Sequence, residues 1–196
     1  MDDNIKVIRI HPPPGLKKEI IAILNEFAKR YKVYRDANRK SPHITVLDLS
    51  STAYTYNYLL HKIREVAEDL KPFKVRIDGI ASFDSLNMKG SPVRRRHNYV
   101  IYLRVIGDSG ILALRKKLIS NFGEGKAHYK KFVPHITISH QDLDKRGFER
   151  VLKEYKGVSF RHSFTVKGLY LYTYSKSSRP YVRYIRFGLY KSSKRH

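Results

Sequence analysis

The chain has no cysteine, no tryptophan and only 2 methionines among its 196 residues. Without cysteine there is no disulfide, no thiol nucleophile and no thiolate metal site. Carboxylates are scarce as well: 17 Asp and Glu stand against 40 Lys and Arg, a formal net charge of +23. No apolar run approaches the ~18 residues that a membrane-spanning helix needs. The opening MDDNIKV is acidic and then strand-like, unlike a signal peptide. A cytoplasmic protein that makes no use of a membrane is expected. No Gly-x-x-x-x-Gly-Lys-Ser/Thr segment exists, so a GTPase or kinase reading has no support. What is plentiful is positive charge beside aromatic rings, 15 Tyr and 9 Phe. Cations neutralise phosphates and rings stack on bases, which points to RNA or another nucleotide as the ligand.

Hydrophobic residues make up 41% of the chain, enough for a buried core in one domain. IKVIRI (Ile5 to Ile10) alternates as a strand does, and HPPPG stops it. Pro14 or Gly15 can then open a helix with Leu16, Ile20, Ile23, Leu24, Phe27 and Tyr31 at helical spacing. HITVLDL is a second strand, and Ser50, Ser51 or Thr52 is expected to cap a helix reaching about Leu70. FKVRIDGI is a third strand, and SFDSLNMKGSPVRRRH a loop. The order then recurs: strand NYVIYLRV, a helix capped by Asp108 or Ser109 and ending near Phe122, strand KFVPHITIS, and a helix capped by Asp144. SFTVKGLYLYTY and YVRYIRFGLY alternate around SKSSRP and read as a hairpin.

The tetrapeptide Pro-His-Ile-Thr occurs twice, at Pro42 and at Pro134, in the same place within each run of elements. Gly15 and Gly107 close the first strands at the same offset, and Gly79 and Gly168 break the last strands at nearly the same one. The segments 5–82 and 98–190 therefore read as two copies of one unit. With no linker between them, residues 1–196 are expected to form a single α+β domain. It would be bilobed, with two pseudo-symmetric lobes of antiparallel sheet and flanking helices around a central cleft.

On a strand, alternate side chains share a face. His43 and Thr45 thus point one way while Ile44 and Val46 anchor the other, and His135 and Thr137 do the same against Ile136 and Ile138. A lone strand histidine is usually a hydrogen-bonded core residue, and a strand threonine usually serves β-propensity. A duplicated fold has good reason to keep apolar core positions in both copies, and little structural reason to keep a polar His-x-Thr face in both. If the strands meet across a cleft, two imidazoles and two hydroxyls converge. Histidine titrates near neutrality, so one ring can take a proton while the other gives one. The hydroxyls can donate to non-bridging phosphate oxygens. Two histidines without further ligands make a poor transition-metal site, so no metal and no cofactor is expected.

Paired PHIT segments in a two-lobed repeat resemble the two-histidine (2H) phosphoesterases, and within them the RNA 2′,3′-cyclic phosphodiesterase / 2′-5′ RNA ligase branch. DGIASF and RPYVRYIRF are similar to that branch's strand after the second helix and to its closing strand. The resemblance implies a bilobed α+β fold, metal-independent chemistry, and His43, Thr45, His135 and Thr137 at the four motif positions. It implies opening of a terminal cyclic phosphate to a 2′-phosphate, and 2′-5′ ligation by the same acid–base pair when an RNA 5′-hydroxyl is the nucleophile. The branch's apolar-Gly and Gly-Arg continuations are replaced here by VLDLSS and SHQ. A basic partner for the phosphate is therefore sought at Arg94, Arg95, Arg96 or Arg179. Near-symmetry hides which histidine is base and which is acid; His135 as base and His43 as acid is the working expectation. Tyr172, Tyr174 and Tyr181 flank the last hairpin and are candidates to stack on a terminal base, or to pack on a neighbouring sheet. The expected partner is RNA with a 2′,3′-cyclic phosphate end, bound by a monomer. Two other readings stay open: 3′-end trimming or 2′-5′ oligonucleotide cleavage within the superfamily, and a non-enzymatic RNA-binding module.

Overall fold

The computed structural model describes residues 5–32, 41–50, 52–84, 99–106, 109–123, 132–140, 143–174 and 180–188. The elements follow the order read from the sequence: β1 (Ile5–Ile10), α1 (Pro14–Tyr31), β2 (Ile44–Asp48), α2 (Tyr56–Glu68), β3 (Phe73–Asp84), β4 (Tyr99–Ile106), α3 (Ser109–Phe122), β5 (His135–His140), α4 (Lys145–Glu154), β6 (Arg161–Val166), β7 (Gly168–Tyr174) and β8 (Tyr181–Arg186). Pro14 opens α1 at a position where the missing N–H costs nothing. Asp144 caps α4 by accepting from Gly147 N at 2.7 Å. For α2 the cap is Thr55, which accepts from Tyr58 N, and not Ser50 or Thr52; Ser51 lies outside the described residues. Ser50 is engaged by Asp48 and by Lys6 N, and Thr52 bonds back to Leu49 O. Those groups close a turn and cannot also serve a helix.

The eight strands form one antiparallel sheet in the order β6-β3-β4-β5-β2-β1-β7-β8. The antiparallel sheets of the two lobes are thus continuous, joined where β5 meets β2. Each half lends a strand to the other: β3 of the first half pairs with β4, and β7 of the second pairs with β1. β6 and β7 are separated by Lys167 alone, yet they belong to opposite halves of the sheet. The sheet must curl until those halves approach at this crossing. Phe73 of β3 stacks on Phe187, just past β8, with centroids 6.0 Å apart. Gly79 does not end β3. Its φ of 72° makes a bulge, where the register against β4 shifts between Ile77 and Ile80, and the strand runs on to Asp84.

The helices cover one face of the sheet. Ile8, Ile10, Ile44, Val46, Ile136, Ile138, Leu169, Leu171 and Ile185 are buried there. They pack against Ile20 and Phe27 of α1, Leu59 and Ile63 of α2, and Leu114 and Leu118 of α3. By alternation, the residues between these point to the other, open face. None of the helices among the described residues is long and apolar enough to cross a membrane.

Candidate active site

β2 and β5 are neighbours, antiparallel, with Ile44 opposite Ile136. Extending that register by one residue each way sets His43 opposite Thr137 and Thr45 opposite His135, about 5 Å apart at Cα. The two His-x-Thr copies thus share one patch of the open face. His43 Nδ1 donates to Ser41 O at 2.8 Å, and His135 Nδ1 donates to Val133 O at 2.8 Å. Each ring is held by the carbonyl of the residue before its proline. A carbonyl only accepts, so Nδ1 carries the proton on both rings and Nε2 is the nitrogen left for proton exchange.

The surroundings of the two rings differ. Beside His43, His11 lies with ring centroids 6.0 Å apart. His11 Nδ1 donates to Pro42 O at 2.9 Å, and its Nε2 accepts from Tyr172 Oη at 2.9 Å. Both nitrogens of His11 are thus engaged within the protein. Arg9 is buried in the same cluster, with its guanidinium 4.8 Å over the Tyr172 ring. Its Nε has no hydrogen-bond partner among the described residues. Burial, then the charge of Arg9, pushes the His43 pKa down to about 3 against the bond to Ser41 O; the charge on His135 also reaches it. Burial pushes His11 down to about 4. Both rings are neutral at pH 7.

His135 has an aromatic setting instead. Phe83 stacks on Tyr102 at 4.2 Å, and each ring lies 5.1 Å from His135. Tyr102 is paired with Thr137, as Arg9 is paired with Thr45. The pseudo-two-fold therefore exchanges a cation in one lobe for an aromatic ring in the other. Arg104, paired with His135, is tied to Asp78 through O at 2.9 Å and Oδ2 at 3.2 Å.

Of the candidates from sequence, the structure brings together His43, Thr45, His135, Thr137 and Tyr172. Tyr181 it does not. Tyr181 is paired with Thr173 on the helix-covered face, where its ring meets Tyr56 edge-on at 4.9 Å. Tyr184, paired with Tyr170, takes the open face in its stead. Arg94, Arg95, Arg96 and Arg179, and the side chain of Tyr174, lie outside the described residues. Arg9 and His11 were missed. Their signal was a cation and an imidazole at the same parity at the end of IKVIRIH, legible only once β1 is known to adjoin β2. A cavity of about 430 Å³ between the end of α1 and α4 holds none of these residues, and its Arg30 and Arg150 are paired with Glu154. Among the described residues no group of three or more His, Cys, Asp or Glu is placed to hold a metal.

A continuous curled antiparallel sheet with paired His-x-Thr strands at its centre defines a 2H phosphoesterase scaffold. The chain belongs to the 2′-5′ RNA ligase superfamily, whose pattern it matches over residues 12–178. It is 31% identical over 157 residues to a Bacillus pumilus protein named for an inferred phosphoesterase activity, covering 79% of this chain and 82% of that one. In fold it is similar to TT0787 of Thermus thermophilus, with TM-score 0.65, 18% identity and coverage of 93% and 95% of the two chains. It is likewise similar to E. coli LigT complexed with 3′-AMP, with TM-score 0.57, 16% identity and coverage of 95% and 96%.

Proposed function

We propose that this protein hydrolyses the 2′,3′-cyclic phosphate at an RNA end to a 2′-phosphate. The observation that carries the reading is the pair of imidazoles on adjoining strands, each with Nδ1 bonded to the carbonyl two residues before it. Water attacks phosphorus and gives its proton to one Nε2. The P–O3′ bond breaks, and O3′ takes a proton from the other Nε2. The products are a 2′-phosphate and a free 3′-hydroxyl. With an RNA 5′-hydroxyl in place of water as the nucleophile, the same transfers form a 2′-5′ linkage.

The electrostatics favour His43 as base and His135 as acid, the reverse of the working expectation from sequence. Burial and Arg9 keep His43 unprotonated, as a base must be before the reaction. Thr45 and Thr137 are the donors to the non-bridging oxygens. Arg9 supplies the positive charge that the sequence left to Arg94–Arg96 or Arg179. A buried guanidinium without a carboxylate partner among the described residues is well placed to be neutralised by a phosphate.

The test is incubation with a 2′,3′-cyclic-phosphate oligonucleotide in EDTA, with the position of the phosphate in the product identified. A 2′-phosphate is the expected product. Shortening of a linear 3′ end, cleavage of a 2′-5′ linkage alone, or salt-sensitive binding without product would each replace this reading.

A further inference from the structure

The open face continues past the histidines toward the β8 edge. Thr45 is paired with Arg9, Arg9 with Tyr170, and Tyr170 with Tyr184, so one row of side chains crosses four strands. The rings along it are in contact. His11 meets Tyr170 edge-on at 4.7 Å, and Tyr170 lies 4.9 Å from Tyr184. Tyr184 is 44% exposed on the open face. The next residue of β8 on this face, Arg186, is exposed, and its charge acts on the Tyr184 phenol. No carboxylate pairs with Arg9 or Arg186 among the described residues. The other lobe differs. Asp78 ties up both Arg104 and Arg161, and the Phe83 and Tyr102 rings are stacked on each other and closed around His135. On the open face, exposed aromatic surface beside uncompensated charge is thus seen, among the described residues, on the β1-β7-β8 side.

We propose that this strip is a subsite for the nucleotides upstream of the reacting phosphate, with their bases stacked on Tyr170 and Tyr184 and a backbone phosphate against Arg186. The inference rests on the proposed function in placing the RNA end at the histidines. From β2 to β8 is three strand spacings, about 14 Å, which is the rise of about four stacked nucleotides. The preferred substrate is then a single-stranded oligonucleotide and not a mononucleotide. Sequence preference should be weak, because every base offers a π-face.

The experiment measures the affinity of the full chain for RNAs ending in a linear 3′-phosphate, one, two and four nucleotides long, at fixed salt. No turnover is needed, so failure of the cyclic-phosphate assay and failure of the subsite give separate results. Two stacked bases should make the tetranucleotide bind wild type on the order of 30-fold tighter than the mononucleotide. Tyr184→Ala should cut that ratio about fivefold or more, and Tyr184→Trp should keep it. Arg186→Gln should shrink the slope of log affinity against log salt by about 0.7. Tyr58→Ala, an exposed tyrosine on α2, is the control and should match wild type. A ratio near one in wild type would overturn the proposal, as would an unchanged ratio in Tyr184→Ala.

Discussion

Ile44 of β2 stands directly opposite Ile136 of β5, and both side chains are fully buried. This pair is the seam between the two halves and the point about which they are related. Its parity puts the flanking His43, Thr45, His135 and Thr137 on the open face. If these imidazoles carry the proton transfers, His43→Ala and His135→Ala should each lower turnover of a cyclic-phosphate RNA by about 10²–10⁴-fold. Neither ring fills the core, so thermal unfolding midpoints should stay close to wild type. Wild-type turnover in either variant would remove that histidine from the mechanism.

Arg9 and His43 are coupled through charge. Replacing Arg9 by Gln removes a positive neighbour, so the His43 pKa should rise from about 3 toward its ordinary value. The acid limb of kcat/KM, which reports the free enzyme, should lie below about pH 5 in wild type and move up in Arg9→Gln. The variant should also bind inorganic phosphate more weakly. An acid limb that does not move would mean that His43 is not the base or that Arg9 does not act on it.

His11 and His43 also make folding depend on pH. Each titrates near 6.5 when exposed, and at about 4 and about 3 in the folded protein. The folded values are depressed, so the unfolded chain binds more protons in the window between. Their stabilisation is present above pH 6.5 and is lost as pH falls toward 4 and then 3. Near pH 5 the unfolded chain holds about two extra protons, a slope of up to about 2.7 kcal/mol per pH unit. Urea titrations from about pH 7 to about pH 4.5 should show that slope flattened in a His11→Asn/His43→Asn double variant. An equal slope in both proteins would refute the assignment.

Gly168 begins β7 where the chain crosses between the halves of the sheet. A Cβ there would lie 2.4 Å from Ile185 O and 2.7 Å from Tyr184 Oη. The backbone contact cannot yield without parting β7 from β8. Gly168→Ala should therefore destabilise by about 1–3 kcal/mol, measured by urea unfolding. It should also move Tyr184, which a change in tetranucleotide affinity would register. Gly15→Ala, where an added Cβ meets nothing within 4 Å, is the comparison.

The elements themselves were legible in the chain because their patterns are local. Leu16, Ile20, Leu24 and Phe27 recur at helical spacing, and those side chains are the buried ones of α1. His-x-Thr on an alternating strand implies a shared face with no knowledge of the partner. The α2 cap was misplaced because Ser50 and Thr52 have the right side chains for a cap. Only the folded turn shows that Asp48, Lys6 and Leu49 already occupy them. Tyr181 was chosen over Tyr184 because nothing in YVRYIRF tells which parity faces the histidines. The pairing of Thr173 with Tyr181 decides that.

By itself the sequence determined the composition of the site and its duplication. Two Pro-His-Ile-Thr strands, a strongly basic chain and no cysteine were enough to suggest phosphoester chemistry and to point to the family. The tertiary structure alone decided that β2 and β5 adjoin, that β7 crosses to lie beside β1, and that Arg9 and His11 therefore belong to the His43 side. The physical reason is range. Backbone alternation carries information over two residues, whereas strand neighbours are selected by burial across the whole core. A cation near the start of the chain becomes part of a site only when that selection sets it beside a histidine thirty-four residues away.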